Sequence, residues 1–116
     1  MKLKEILECI NGRILCAQER VEELDFEHAA ASDLMSEVLI LARENMLLIT
    51  GLTTPQVVRT ADVIGIPAVV IVRKDSVPPE TIEAAKASRI VLAVTRMTMF
   101  EVCGKLYCEK KIKPIW

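Results

Sequence analysis

From Met46 onward the chain repeats one three-part phrase: a short apolar run, a polar loop, then a helix with one apolar face. The runs are Met46-Leu47-Leu48-Ile49, Pro67-Ala68-Val69-Val70-Ile71-Val72 and Ile90-Val91-Leu92-Ala93-Val94, at near-regular intervals. Strands that are apolar at successive positions are covered on both faces. The rhythm therefore predicts β-loop-α units in an α/β fold, with a mostly parallel sheet of about five strands flanked by helices. Sheets of this kind place their working residues in the loops after the strands. Here those loops read Thr50-Gly51-Leu52-Thr53-Thr54, Arg73-Lys74-Asp75-Ser76 and Thr95-Arg96-Met97-Thr98.

A length of 116 residues suits one domain, residues 1–116, with a single core. At 52% hydrophobic and 27% charged residues the chain is too apolar for disorder, while its apolar runs are too short to span a bilayer. The N-terminal residues turn charged again before a secretory apolar core can form, so a cytoplasmic location with no membrane is expected. A net charge of -1 and 3% aromatic residues argue against nucleic-acid binding. Lys110, Lys111 and Lys113 form a small basic tail, read as a solvated terminus. Cys9, Cys16, Cys103 and Cys108 form no metal-binding spacing, and His28 is the one histidine. On a helix Cys103 and Cys108 stand about 140° apart. Buried thiols in a reducing compartment are expected, with no metal and no cofactor.

Leu3, Ile6, Leu7 and Ile10 predict an opening helix stopped at Asn11-Gly12. Residues 13–17 read as a strand, 18–25 as a turn or short helix carrying Val21 and Leu24, and 26–30 as a second strand. Ser32 and Asp33 offer oxygens at the start of the next helix, and Ser32 and Ser36 read as caps. The apolar positions 34–42 of that helix cover more than one face. One side suits the sheet; the other suits either a second subunit, in a homodimer, or the N-terminal helix of the same chain.

The helix after the first repeat strand has two starts: a capping box from Thr53 to Gln56, or Thr54 followed by Pro55 at the first helical position. Val57, Val58, Ala61 and Ile64 form its buried face and Gly65 ends it. Pro78-Pro79-Glu80 announces the next helix, which runs through Ile82, Ala85 and Lys86 to Ser88. The last begins at Thr98 with Glu101 three residues on, a capping box, with Met97 and Val102 as a hydrophobic staple. Phe100, Val102, Cys103, Leu106 and Tyr107 supply its apolar surface.

The loop Thr50-Gly51-Leu52-Thr53-Thr54 combines glycine, hydroxyls and a helix N-terminus, a set suited to phosphate or carboxylate. The same residues also make an ordinary capped strand-to-helix turn, the plainer reading. Arg73, Lys74 and Arg96, with Thr95 and Thr98, stand beyond strands on the same edge and complete a candidate anion site, or else are solvated surface. Arg59 pairs with Asp62, with solvent or with a ligand. His28 with Asp33 and the threonine loop is the one constellation for an enzyme, yet it lacks a nucleophile with an orienting partner. Gly104-Lys105 is no nucleotide loop: the pattern requires glycine at Met99, a hydroxyl at Leu106 and a place before a helix rather than within one.

The order Ala31-Ser32-Asp33-Leu34-Met35-Ser36-Glu37-Val38-Leu39, Leu48-Ile49-Thr50-Gly51, Arg59-Thr60-Ala61 and Thr98-Met99-Phe100-Glu101-Val102-Cys103-Gly104-Lys105-Leu106-Tyr107 resembles the stand-alone DRTGG-domain proteins over residues 25–108. Related domains occur at the front of HPr kinase/phosphorylases, in long phosphotransacetylases and between CBS domains of some pyrophosphatases. The resemblance implies an HPr-kinase N-domain-like fold, a homodimer and a regulatory or interaction role. The family's Asp-Arg pair falls at Thr53-Thr54 and its Thr-Gly-Gly at Val72-Arg73-Lys74, so every name-giving position differs here. The leading expectation is a non-catalytic regulatory domain sensing a small anionic metabolite or nucleotide at the strand-end loops. The alternative is an interaction module whose helix at 34–42 or 98–108 meets a partner enzyme.

Overall fold

The computed structural model describes residues 1–115. In chain order the elements are α1 (Leu3–Cys9), β1 (Arg13–Cys16), a 3-10 helix (Gln18–Glu23), β2 (His28–Ala31), α2 (Met35–Leu41), β3 (Leu47–Thr50), α3 (Pro55–Ile64), β4 (Ala68–Val72), α4 (Pro79–Ser88), β5 (Val91–Thr95), α5 (Met99–Cys108) and β6 (Lys113–Pro114). The strands form one sheet in the order β1-β5-β4-β3-β2-β6, parallel throughout except for β1.

Every residue of β3, β4 and β5 is buried, which is why their sequences are apolar without alternation. Leu48, Val69, Ile71, Leu92 and Val94 face a core shared with α2, α3 and α4. Leu47, Ile49, Val70, Val72, Val91 and Ala93 face a second core holding α1, the 3-10 helix and α5. The chain steps from β2 to β5 one strand at a time with its helices on one face. It then recrosses the sheet through α5 on the other face to reach β6.

β6 makes a sixth strand where a solvated basic tail is expected. Lys113 N–H donates to Glu27 O at 2.9 Å and Ile115 N–H to Ala29 O at 3.1 Å, while Ile112 is buried. Pro114 between them needs no acceptor, which suits an edge. So short a strand has no periodicity to betray it. β2 starts later than expected because Phe26 is buried in the core beside α1 instead of pairing along β3.

Local signals fare well elsewhere. α1 ends with Asn11 at φ 54° and Gly12 N–H on Leu7 O at 2.8 Å, a Schellman arrangement at the expected stop. α3 takes the Thr54-Pro55 start, so Thr53 caps nothing; it ends at Gly65, φ 93°, with the N–H groups of Gly65 and Ile66 both on Ala61 O. α5 carries the capping box at Thr98. α2 departs: Leu34 is its N-cap without a side-chain bond, Ser36 lies within the first turn, and Ser32 Oγ accepts from Leu34 N–H ahead of the helix.

α2 turns Met35 and Val38 to the sheet and leaves Leu39, Ile40 and Leu41 exposed. α1 sits on the opposite face of the sheet, so the N-terminal helix does not cover them. On α5, Val102 and Leu106 are buried, but Phe100 and Tyr107 stand 89% and 64% exposed instead of joining its buried surface. All four cysteines are free. Only Cys16 is buried; Cys9 and Cys103 are half-buried and Cys108 is exposed. Burial pushes the thiol pKa of Cys16 and Cys103 up. Among the described residues no helix is long and apolar enough to cross a membrane.

Candidate functional site

Parallel pairing of β2 to β5 brings the loops after these strands to one edge of the sheet. Thr50, fully buried at the end of β3, donates its hydroxyl to Asp33 Oδ1 at 2.9 Å. The same oxygen accepts Gly51 N–H at 2.7 Å, and Thr50 Oγ1 accepts Leu52 N–H at 3.2 Å. Thr95 does the same work at the end of β5. Its hydroxyl donates to Ile10 O at 2.6 Å and accepts Met97 N–H at 3.1 Å. Each threonine turns its strand into the following loop by bonding two residues ahead. Thr81, buried in the first turn of α4, donates to Thr53 O at 2.6 Å and ties α4 to the threonine loop.

Between β4 and β5 the connections part: α4 leaves on one face of the sheet and α5 on the other. Such a switch point is where open α/β sheets form a crevice beyond their strand ends. Arg73 sits there in left-handed backbone, φ 59°, its N–H on Met97 O at 2.9 Å, while Lys74 N–H donates to Thr95 O at 3.1 Å. The Arg73 side chain lies back over Gly51: a Cβ on that glycine would stand 2.5 Å from Arg73 Nη2 and 3.5 Å from Asp33 Oδ2. Gly51 thus leaves room for the resting position of the Arg73 side chain, and its φ lies outside the left-handed region.

The cations differ in what they are free to do. Arg96 Nε pairs with Asp75 Oδ1 at 2.9 Å, and the Arg13 guanidinium donates to the Asp75 carbonyl. Among the described residues, Arg73, Lys74 and Arg59 enter no ion pair within 4.0 Å. Thr98 accepts Glu101 N–H at 3.1 Å, and its own N–H donates to Glu101 Oε1 at 3.0 Å. The Thr98 N–H, followed by its hydroxyl, holds the Glu101 carboxyl below its usual range. Thr53 and Thr54 flank the start of α3, Thr53 half-buried and Thr54 exposed.

The set expected for an enzyme does not assemble. His28 begins β2 and lines a cavity with Met1, Asp25, Arg43 and Glu44, whereas Asp33 follows β2 and bonds Thr50 and Gly51 at the other edge. Asp33 is also the residue that sequence reasoning placed wrongly, as a helix cap. Its partners lie 17 and 18 residues on. The one usable signal was an acid directly after a strand that neighbours the strand ending in Thr50.

No family model matches the chain, and no curated protein matches it. Among solved structures the chain is similar to the CBS and DRTGG domains of the regulatory region of Clostridium perfringens pyrophosphatase, determined in complex with the activator diadenosine tetraphosphate. The TM-score is 0.70 and the identity 15%, over 88% of this chain and 44% of that one. The chain therefore spans less than half of its neighbour. The likeness is one of fold, and it agrees with a DRTGG-like domain.

Proposed function

We propose that the chain is a non-catalytic regulatory domain that binds a small anionic metabolite or nucleotide at the edge formed by the loops after β3, β4 and β5. The observation that carries this reading is Arg73: a cation that, among the described residues, has no carboxylate within 4.0 Å, laid over Gly51 at the β4/β5 switch point. A guanidinium there offers planar, bidentate donors to phosphate, and Lys74 adds a second charge. Thr53 and Thr54 stand in the loop before α3, and Arg96 and Thr98 in the loop after β5, at the same edge. Thr50 and Thr95 act from behind, because their hydroxyls are committed to Asp33 and Ile10. Asp33 repels an anion from the Gly51 amide, so the ligand sits toward Arg73 and Lys74. A regulatory region that is similar to this chain over 44% of its length and holds a nucleotide activator supports the choice of ligand class.

Thermal unfolding of the chain with diadenosine tetraphosphate, ATP, AMP and inorganic phosphate tests the reading. A bound ligand raises stability by RT ln(1 + [L]/Kd), and the rise disappears in Arg73→Ala/Lys74→Ala. No rise with any of the four removes the sensor reading.

A second reading, an interaction module for a partner enzyme, draws on one observation. Leu34, Leu39, Ile40 and Leu41 are exposed along α2, and Val63 is exposed on the adjoining α3. We also propose that the chain self-associates as a homodimer and works in the cytoplasm, which its four free cysteines support.

A further inference from the structure

α5 begins beside the anion edge with an aromatic side chain that the fold leaves unused. The chain holds two phenylalanines: Phe26 is buried in the core, while Phe100 is 89% exposed, the most exposed large apolar side chain among the described residues. Phe100 lies in the first turn of α5, just after the Thr98 cap.

The course of α5 fixes where Phe100 stands. The helix starts beyond the end of β5 and runs back across the sheet toward the start of β6. On the way Cys103 lines a hollow together with Ala31 and Ile49, partners in register at the ends of β2 and β3. Phe100 is three residues earlier on the same side of the helix, about 4.5 Å nearer the strand-end loops. That brings it level with Thr50 and Gly51, the residues that follow Ile49. The Arg73 guanidinium lies over Gly51, and the Arg73 N–H bonds Met97 O in the loop that leads into α5. Phe100 and Arg73 therefore border the same stretch of the edge.

The two borders differ in charge. Glu101 folds back onto the Thr98 N–H and hydroxyl, so a carboxylate occupies the start of α5 and disfavours a second anion there. Among the described residues Arg73 and Lys74 have no carboxylate within 4.0 Å. A ligand that spans both borders is an anion at one end and an uncharged planar group at the other. A nucleotide has that polarity, and every base has a π-face for an aromatic side chain.

We propose that the ligand of this edge is a nucleotide, with its phosphates on Arg73 and Lys74 and its base stacked on Phe100. This rests on the anion-binding reading above and narrows it from anions in general to anions that carry a base. Phe100 offers no hydrogen-bonding atom, so the stack reads the presence of a base and discriminates little between one base and another.

Calorimetric titration with ATP and with inorganic tripolyphosphate, without added divalent cations, separates base from phosphate. ATP should bind about 5- to 150-fold more tightly than tripolyphosphate, the margin that one stacked base provides. Phe100→Ala should remove that margin and leave tripolyphosphate binding and thermal stability unchanged, because the ring stands in solvent. Phe100→Trp should preserve it. Tyr107 lies about 10 Å further along α5, so Tyr107→Ala should leave the margin intact. Equal binding of ATP and tripolyphosphate overturns the stacking role while the anion site stands. A margin that survives Phe100→Ala, or that Tyr107→Ala abolishes, puts the base elsewhere and also overturns it. Binding of neither ligand removes the anion-binding reading and this inference with it.

Discussion

Asp33 Oδ1 receives two hydrogen bonds at once, from the Thr50 hydroxyl at 2.9 Å and the Gly51 N–H at 2.7 Å. One carboxylate oxygen thereby links the loop after β2 to the loop after β3 and takes up donors that a bound oxyanion would otherwise use. The edge is pre-organised at the threonine loop and uncommitted one strand further along, at Arg73 and Lys74.

Removing that link has two separable consequences. Asp33→Ala leaves the buried Thr50 hydroxyl and the Gly51 N–H without their acceptor, and stability should fall by about 1–3 kcal/mol in chemical denaturation. Asp33→Asn keeps an acceptor oxygen but removes the charge. It should therefore cost less stability and strengthen the thermal rise produced by phosphate or nucleotide; a weaker rise would place the anion elsewhere.

Thr95→Val separates framework from ligand contact. It deletes the donor to Ile10 O and the acceptor for Met97 N–H at a buried position, and should cost about 1–3 kcal/mol. The ligand-dependent rise in melting temperature, measured from the lowered baseline, should persist. Its disappearance would make Thr95 a ligand contact.

Gly51→Ala should do the reverse. The new methyl group meets the far end of a flexible arginine, so Arg73 swings away and the stability change stays within about 1 kcal/mol. The anion-dependent rise should drop toward that of Arg73→Ala. A full-size rise in Gly51→Ala would show that the resting position of Arg73 is irrelevant to binding.

The capping box gives an acid dependence whose sign is set by Glu101. Its carboxyl titrates below the ordinary glutamate value of 4.5 in the folded chain. The bond's contribution is therefore complete above pH 4.5 and is lost as pH falls through the depressed folded value. Thr98→Ala should cost about 1 kcal/mol at neutral pH. Glu101→Gln should show a shallower loss of melting temperature on acidification than the parent chain, and Thr98→Ala a smaller change in the same direction, because the backbone N–H at position 98 still holds the carboxylate; a Glu101→Gln curve parallel to the parent's would refute the assignment.

How much of this was legible beforehand differs from residue to residue. Gly65, Pro55 and the Thr98/Glu101 pair act within one helical turn, so spacing alone identified them as helix ends. Where two local readings competed at Thr53 and Thr54, the packing of α4 decided: Thr81 holds the Thr53 carbonyl, and proline at the first helical position follows Thr54. The candidate site was legible as a set of loops but not as a set of contacts. Thr50, Thr95 and Arg96 looked like donors of equal standing with Arg73, and their partners Asp33, Ile10 and Asp75 all come from other elements.

By itself the sequence determined the repeated strand-loop-helix units, their parallel pairing and most helix boundaries, because periodicity and capping depend on neighbours a few bonds away. Tertiary structure alone decided that Asp33 bonds Thr50 and Gly51, that residues 113–114 close the sheet as β6, and that Phe100 and Tyr107 face outward. It also decided which edge cations keep an unpaired charge. Each of these depends on strand order and on which face a helix covers, which bring together groups far apart in the chain. No local pattern encodes them.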